Sequence, residues 1–504
     1  MKKILHWLLL ILPVSAWAQQ DSLHTQGQDS LLQEVKVKTY LPGAILKGDT
    51  LIFNAEAYRL AEGSVLTDLL KRLPGVEVDE EGSIKVRGRM VSEVKINGKD
   101  FFKGNMDMAL KSLPAALIKK IKTYEEESLE QRHTGIRGRE KPLVLNVELR
   151  QELKNQFTAE ASAGGSAGKQ RYEGDFFGHT FSDRWNTTLS ASTRNTAGHE
   201  LMEDDAGKNA QRRIGFNTNW SNTEAAEAKG KLDLYFSSQY DRDDNDLVSQ
   251  WSGETFLNHL QSYTSGSQSA RSKRNAWDHD LNFSWTLDER SWLSLSANLS
   301  WEHSRGWSNS QNTTSLLPAP TEQLINSDTN QSREKMRTED YGIGLFFSHK
   351  TDSLGSTLGA WLHYEGGHSA TRQFLIDHLR YYQLADSTQF RDHYVHTPST
   401  PHSLMGRLSY SHHFSDHWSA DAAYEWRDSH HDESQLWYAL DSLSGINADG
   451  YPTLGWLPST ADSLALTQLD RLCRHSRYRQ TIHTANLGAH FRQEKFEIRA
   501  ELLL

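Results

Sequence analysis

Past its first twenty positions this 504-residue chain contains no run of about 18 apolar residues, the length a helix needs to cross the hydrocarbon of a bilayer. A helical membrane protein is excluded on that ground, whereas a β-barrel is not, because alternation averages its hydropathy away. Cysteine is almost missing: Cys473 is the single one and has no internal partner, so packing and sheet pairing must hold the fold. An excess of positive charge is missing too. Lys and Arg number 55 against 65 Asp and Glu, a net charge of -10, which argues against nucleic acid as a partner. Aromatic residues are plentiful, with 15 Trp, and many stand at strand ends, where the girdles of a barrel would need them. A soluble β-sandwich also uses aromatics, so this feature alone decides little.

The amino terminus sets the compartment. Lys2 and Lys3 precede an apolar stretch from Ile4 to Val14, and Ala16-Trp17-Ala18 forms a small-x-small cleavage site before Gln19. Residues 1–18 therefore read as a removable signal peptide. No Cys follows the site, so a lipid-anchored terminus is not indicated.

From Phe157 onward, pairs of alternating strands are joined by short turns, and long polar connections separate successive pairs. In the clearest pair Leu281, Phe283, Trp285 and Leu287 share one face, the chain turns at Asp288-Glu289-Arg290-Ser291, and Leu293, Leu295, Ala297, Leu299 and Trp301 return on it. Asn282, Ser284, Thr286, Ser294, Ser296, Asn298 and Ser300 make the other face. Alternate side chains of a strand point to opposite faces, so one face suits lipid and the other a wet lumen. The corners Phe181-Ser182-Asp183-Arg184-Trp185 and Phe414-Ser415-Asp416-His417-Trp418 nearly repeat each other, and 287–292 and 491–496 echo them. Long connections are expected near 195–210, 241–275, 305–335, 371–400 and 429–477. Short turns of such barrels face the periplasm and long loops face outward.

Residues 48–150 have a different grammar and predict a small α/β domain. Leu51 and Phe53 suggest a strand, and Ser64 is placed to cap a helix carrying Val65, Leu66, Leu69 and Leu70 that ends at Pro74-Gly75. Val76 and Val78, then Ile84 and Val86, then Val91, Val94 and Ile96 continue a sheet, with Asn97-Gly98 suited to a tight turn. A second helical stretch is expected around Pro114 through Leu117, Ile118 and Ile121, and a last strand over Leu143, Leu145, Val147 and Leu149. Residues 19–47 read as a disordered segment holding one short alternating strand, from Leu31 to Lys38, which would gain stability by joining another sheet.

The fold class these patterns predict is an incomplete transmembrane antiparallel β-barrel over 155–504, of about thirteen strands, behind a small α/β domain. An odd count with alternation still running through Phe496, Ile498, Ala500, Leu502 and Leu504 predicts a carboxyl-terminal truncation.

Leu69-Leu70-Lys71-Arg72-Leu73-Pro74-Gly75-Val76-Glu77-Val78, followed by Ile84-Lys85-Val86-Arg87-Gly88 and Val94-Lys95-Ile96-Asn97-Gly98, resembles the plug domain of TonB-dependent outer-membrane receptors, most of all those of the Bacteroidetes type. The three pieces occur in the family's order and spacing. The resemblance covers about residues 31–150 by motif and the remainder by barrel pattern. It implies a ligand-gated transporter of the Gram-negative outer membrane, a barrel of about twenty-two strands filled by the plug, energised through the periplasmic domain of TonB. Leu32-Gln33-Glu34-Val35-Lys36-Val37 is similar to the family's TonB box, with Leu32, Glu34, Val35 and Val37 as the pairing residues; its bland alternative is a linker strand. Outer-membrane lipids, an extracellular ligand and a surface lipoprotein complete the implied partners. Two departures stand out. Ile118-Lys119-Lys120-Ile121-Lys122-Thr123-Tyr124 runs into Glu125-Glu126-Glu127 where the family often has an E-V-x-x-G-P corner, which argues against a familiar iron ligand, and no space precedes the box for the small β-sandwich many relatives carry.

Pro74, Gly75, Arg87, Gly88, Asn97 and Gly98 read first as structural corners of the plug. Arg87 has two readings, a solvated surface arginine or a latch to an acidic residue of the wall. Asp241-Arg242-Asp243-Asp244-Asn245-Asp246 invites a calcium reading but lacks the glycine and glutamate of the helix-loop-helix pattern, so a solvated outer loop is favoured. His430-His431-Asp432-Glu433 fixes no metal geometry, and Ala163 to Lys169 reads as a short hairpin loop rather than a phosphate loop. No catalytic constellation, metal site or cofactor is predicted. The alternative to a transporter is a non-transporting surface-binding or structural barrel that keeps a plug-like domain.

Overall fold

The computed structural model describes residues 43–79, 82–101, 110–111, 113–126, 141–150, 155, 157–166, 171–182, 184–195, 208–223, 228–257, 260–316, 323–383, 387–415, 417–443, 454–493 and 496–503. The signal-peptide and TonB-box-like residues lie outside that set.

The first sheet is built from β1 (Ala44–Lys47), β2 (Thr50–Asn54), β3 (Val76–Val78), β4 (Ile84–Val86), β5 (Arg89–Ile96), β6 (Lys99–Asp100), β7 (Ile118–Glu125) and β8 (Leu143–Leu149). Its order is β1-β2-β7-β8-β5-β4-β3, with β6 paired to β5. Only β5 and β8 run parallel. β8 holds the centre, and its run Leu-Val-Leu-Asn-Val is buried on both faces, as an inner strand flanked on each side requires. One short helix, α1 (Leu66–Leu70), packs Leu66, Leu69 and Leu70 into the core at helical spacing. Ser64 does not cap it. The Val65 N–H donates to the Asp68 carboxylate at 3.0 Å, the reach-back half of a capping box. The helix expected around Pro114 is a single 3₁₀ turn, Ala115–Leu117, and Ile118 and Ile121 lie in β7. Both isoleucines are fully buried against β2 and β8, so tertiary pairing overrides the local reading.

The second sheet has thirteen strands in strict chain order, every neighbour antiparallel. They are β9 (Phe157–Ser166), β10 (Arg171–Phe181), β11 (Trp185–Arg194), β12 (Lys208–Ser221), β13 (Leu232–Leu257), β14 (Leu260–Thr286), β15 (Ser291–Ser315), β16 (Leu324–Lys350), β17 (Thr357–Tyr381), β18 (Ser387–His413), β19 (Trp418–Ala439), β20 (Arg474–Gln493) and β21 (Phe496–Leu503). Register carries the alternation across strands. On one face Phe236 meets Leu281, Leu281 meets Ala297, Ala297 meets Ile343 and Ile343 meets Tyr364. On the other, Ser237 meets Asp280, Asp280 meets Asn298 and Asn298 meets Gly342. The result is an apolar belt backed by a polar surface.

Most of the expected long loops are strand. β13 and β14 stay paired from Leu232↔Trp285 to Leu257↔Leu260, through 241–257 and 260–275. β15 to β18 likewise cover 305–315, 324–335, 371–381 and 387–400. Through 241–275 and 305–335 these extensions are largely polar on both faces, so they lack the apolar alternation that marks a half-buried strand, yet their backbone groups still pair. A tilted strand crosses hydrocarbon in about 9–11 residues; β14 and β16 have 27 each. Ala163 to Ser166 are also strand, the end of β9, rather than a loop.

Candidate functional site

The six motif residues form three corners of the plug sheet. Arg87 and Gly88 have φ of 51° and 78°, and Asn97 and Gly98 have 49° and 81°, so each pair makes the two-residue turn with left-handed backbone that a tight hairpin needs. Gly75, at φ 74°, turns the chain out of α1 into β3, and its carbonyl accepts the Arg87 N–H at 2.8 Å. Corners one and two are thereby tied together. Asn97 does more than turn. Its N–H donates to the Val147 carbonyl at 2.9 Å and its Oδ1 accepts the Leu149 N–H at 3.0 Å, while Asn146 Oδ1 accepts the Gly98 N–H at 2.9 Å. This reciprocal amide clasp closes the parallel β5–β8 seam, where no hairpin fixes the register. Arg87 is exposed and makes no ion pair among the described residues, so nothing here supports its reading as a latch.

The plug meets the wall on the polar face. Asn219 Nδ2 of β12 donates to the Asp100 carbonyl at 2.8 Å, and Phe177 of β10 joins the buried cluster formed by the plug's own core. Around this seam Asn186, Thr188, Asn217 and Ser237 are buried, and His179 Nδ1 lies 2.7 Å from Thr188 Oγ1. His179 Nε2, Asn186 Oδ1 and Asn217 Nδ2 are buried without a hydrogen-bond partner among the described residues. A surface so rich in donors and acceptors stays wet or takes polar partners.

Six residues along β12 from Asn219, about 20 Å at strand rise, the same face becomes ionic. Arg213 Nε lies 3.0 Å from Asp241, Arg274 bridges Glu302 at 2.8 Å and Asp243 at 3.5 Å, and Gln239 hydrogen-bonds Asp241. Arg213, Asp243, Arg274 and Glu302 line a concavity of about 490 Å³ with Gln211 and Glu334. The Asp241-to-Asp246 run is thus no chelating loop. Strand alternation sends Asp241 and Asp243 to the plug-facing side and Asp244 and Asp246 to the other, where Arg242 and Arg271 meet them at 3.0 and 2.5 Å. His430 and His431 likewise diverge, one stacked on His402 and the other 3.1 Å from Glu433. Among the described residues no group of three or more His, Cys, Asp or Glu side chains is placed to hold a metal ion.

Asn219, Asp241, Arg274 and Glu302 carry the seam to the wall and the ionic surface, and of the four only Asp241, in its acidic run, stands out in the sequence. Their signal is parity: each polar residue occupies the strand face opposite the apolar belt, which becomes readable once the register is known.

Over about nine-tenths of its length the chain is similar in structure to TonB-dependent outer-membrane receptors. The copper transporter OprC aligns at 11% identity over 91% of this chain and 92% of its own, with a TM-score of 0.24. The ferric-catecholate import receptor Fiu from E. coli K12 aligns at 10% identity over 92% and 85%, TM-score 0.24. The ferric citrate transporter FecA aligns at 10% identity over 90% and 83%, TM-score 0.25. No protein-family model and no curated protein matches the sequence. At such scores these are likenesses only, and the reading of the fold rests on this chain's own sheet order and register.

Proposed function

We propose that this protein is a receptor of the TonB-dependent kind, seated in the outer membrane of a Gram-negative cell, that takes up an extracellular ligand with energy delivered through TonB. One observation carries the reading. A compact sheet with its own core is joined through Asp100–Asn219 and Phe177 to the polar face of an antiparallel wall whose opposite face is an apolar belt. A plug seated against a polar, wet face suits gated passage, because water can replace the wall as its hydrogen-bond partner when it moves. The signal peptide at 1–18 supplies export, and Leu32, Glu34, Val35 and Val37 supply the strand that TonB would extend. The ionic concavity and the plug-facing polar surface are where a ligand would be held.

The test is capture of the full-length protein by a purified TonB periplasmic domain. Capture that is lost on Glu34→Pro or Val35→Pro supports the reading, since proline removes a ladder donor. Absence of capture, or capture indifferent to both changes, contradicts it and favours the non-transporting surface barrel.

A further inference from the structure

On the belt side of the wall, four cations stand in one registered row across four adjacent strands. Lys273 of β14 pairs with Arg305 of β15, Arg305 with Lys335 of β16, and Lys335 with Arg372 of β17. Like charges directly opposite each other destabilise a sheet. Such a row persists at a cost unless something anionic lies across it. Arg333 adds to the field at Lys335. None of the four makes an ion pair among the described residues. The acids on this face are engaged elsewhere: Asp244, opposite Lys273, is held by Arg242 at 3.0 Å, and Glu339 by Arg337 at 2.8 Å. Lys273, Arg305 and Arg372 are exposed and Lys335 half-buried.

The row's height on the wall identifies its occupant. Below it on the same face come Tyr240 and Trp277, with ring centroids 4.7 Å apart, and Trp301 opposite Trp277. Below those lies the belt of Leu281, Leu295, Ile343 and Leu362. Trp301 to Arg305 is four residues, about 13 Å along the strand. Apolar belt, aromatic girdle and cations therefore follow in the order in which acyl chains, interface and phosphates occur at a membrane surface. Beside the row, Phe374, Tyr394 and Tyr438 are covered by Leu454, Leu457 and Leu464, and the backbone at Gly455 closes on the Arg333 guanidinium. One end of the row thus has a side wall.

We infer that Lys273, Arg305, Lys335 and Arg372 form a binding site for the phosphorylated headgroup of a membrane lipid whose acyl chains lie on the belt below. The inference rests on the membrane placement of the proposed function and is independent of transport.

The test uses the full chain in dodecyl maltoside micelles containing diphosphorylated lipid A, with dephosphorylated lipid A and inorganic phosphate as comparisons, and measures lipid retained per protein after gel filtration. The variant Lys273→Gln/Arg305→Gln/Lys335→Gln/Arg372→Gln is expected to retain about tenfold less phosphorylated lipid or lower still. Arg184→Gln/Arg290→Gln/Lys350→Gln, which neutralises cations near the short turns, is expected to retain as much as the parent. Should the quadruple variant not fold, Arg305→Gln and Lys335→Gln alone are each expected to lower retention about two- to fivefold. Unchanged retention by the variants, or displacement of the lipid by inorganic phosphate at matched concentration, overturns the site. A parent protein that needs detergent but holds both lipids equally overturns the site alone. One that is soluble without detergent and holds neither lipid overturns the membrane placement with it.

Discussion

The plug sheet and the wall spend their apolar residues in opposite ways. In the plug, Leu69, Leu113, Ile121 and Leu145 are 0% exposed, sealed between α1 and the sheet. In the wall, Leu345, Leu362 and Leu408 are 43%, 50% and 60% exposed, while Ser190, Asn217 and Ser237 on the opposite face are buried. The first arrangement is that of a protein folded in water. The second inverts it, and physical sense returns only if a low-dielectric solvent covers the belt. A given substitution should therefore have opposite consequences in the two regions.

The largest expected effect lies in the plug core. Leu145→Ala opens a cavity at the centre of the sheet and should lower plug stability by about 2–5 kcal/mol, read as loss of amide protection in β5, β7 and β8. The equivalent Leu362→Ala on the belt should leave the plug's protection unchanged. Next comes a charge in the belt. Leu362→Arg should cost about 2–4 kcal/mol when the protein is refolded into vesicles, whereas Ser300→Arg on the plug-facing side should stay within about 0.5 kcal/mol. Equal costs at the two sites would erase the distinction between the faces.

Smaller effects sharpen the plug's own account. Asn97→Ala removes both the turn residue and the clasp to Leu149, and about 2 kcal/mol of plug stability should go with it. Asn97→Gly keeps the turn and loses only the clasp, so its loss should be smaller. The smallest effect concerns Lys95, whose Nζ donates to Glu126 at 2.7 Å. Burial works to lower its pKa, but the Glu126 hydrogen bond and the carboxylates of Asp100, Glu126 and Glu93 outweigh it, so the ammonium is held above the ordinary lysine range. A raised pKa stabilises the fold fully below the unfolded value of about 10.4 and is lost as pH rises through the folded value. The contribution of Lys95 to plug stability should thus be full and independent of pH near neutrality and decline in alkali, and Lys95→Met should remove that part of the decline.

How much of this was legible in the sequence differed between the regions for the same reason that their energetics differ. Leu281 to Leu299 could be paired from alternation alone because one side of that hairpin is apolar. The extensions of β13 and β14 over 241–257 and 260–275 could not, since both sides are mostly polar, with Leu247, Val248, Trp251 and Phe256 too scattered to alternate, and only the ladder reveals them. The corners at Gly75, Arg87-Gly88 and Asn97-Gly98 were readable because positive φ selects few residue types. Ile118 and Ile121 misled as a helix because their spacing suits one, and only their neighbours in β2 and β8 decide otherwise. The seam at Asn219 and the ionic surface at Arg213, Asp241 and Arg274 needed the register of four strands, which short-range pattern does not carry.

The central claim is that the belt face of the wall meets lipid while the plug-facing side is wet. Single cysteines placed in turn from Leu293 to Arg305 in a Cys473→Ser background, in vesicles, would test it most directly. Labelling by a membrane-impermeant maleimide should alternate with period two, strong at Ser294, Ser296, Asn298 and Ser300 and weak at Leu293, Leu295, Ala297 and Leu299, with the pattern fading toward Arg305. Uniform labelling along the strand, or alternation with the strong positions exchanged, would contradict it.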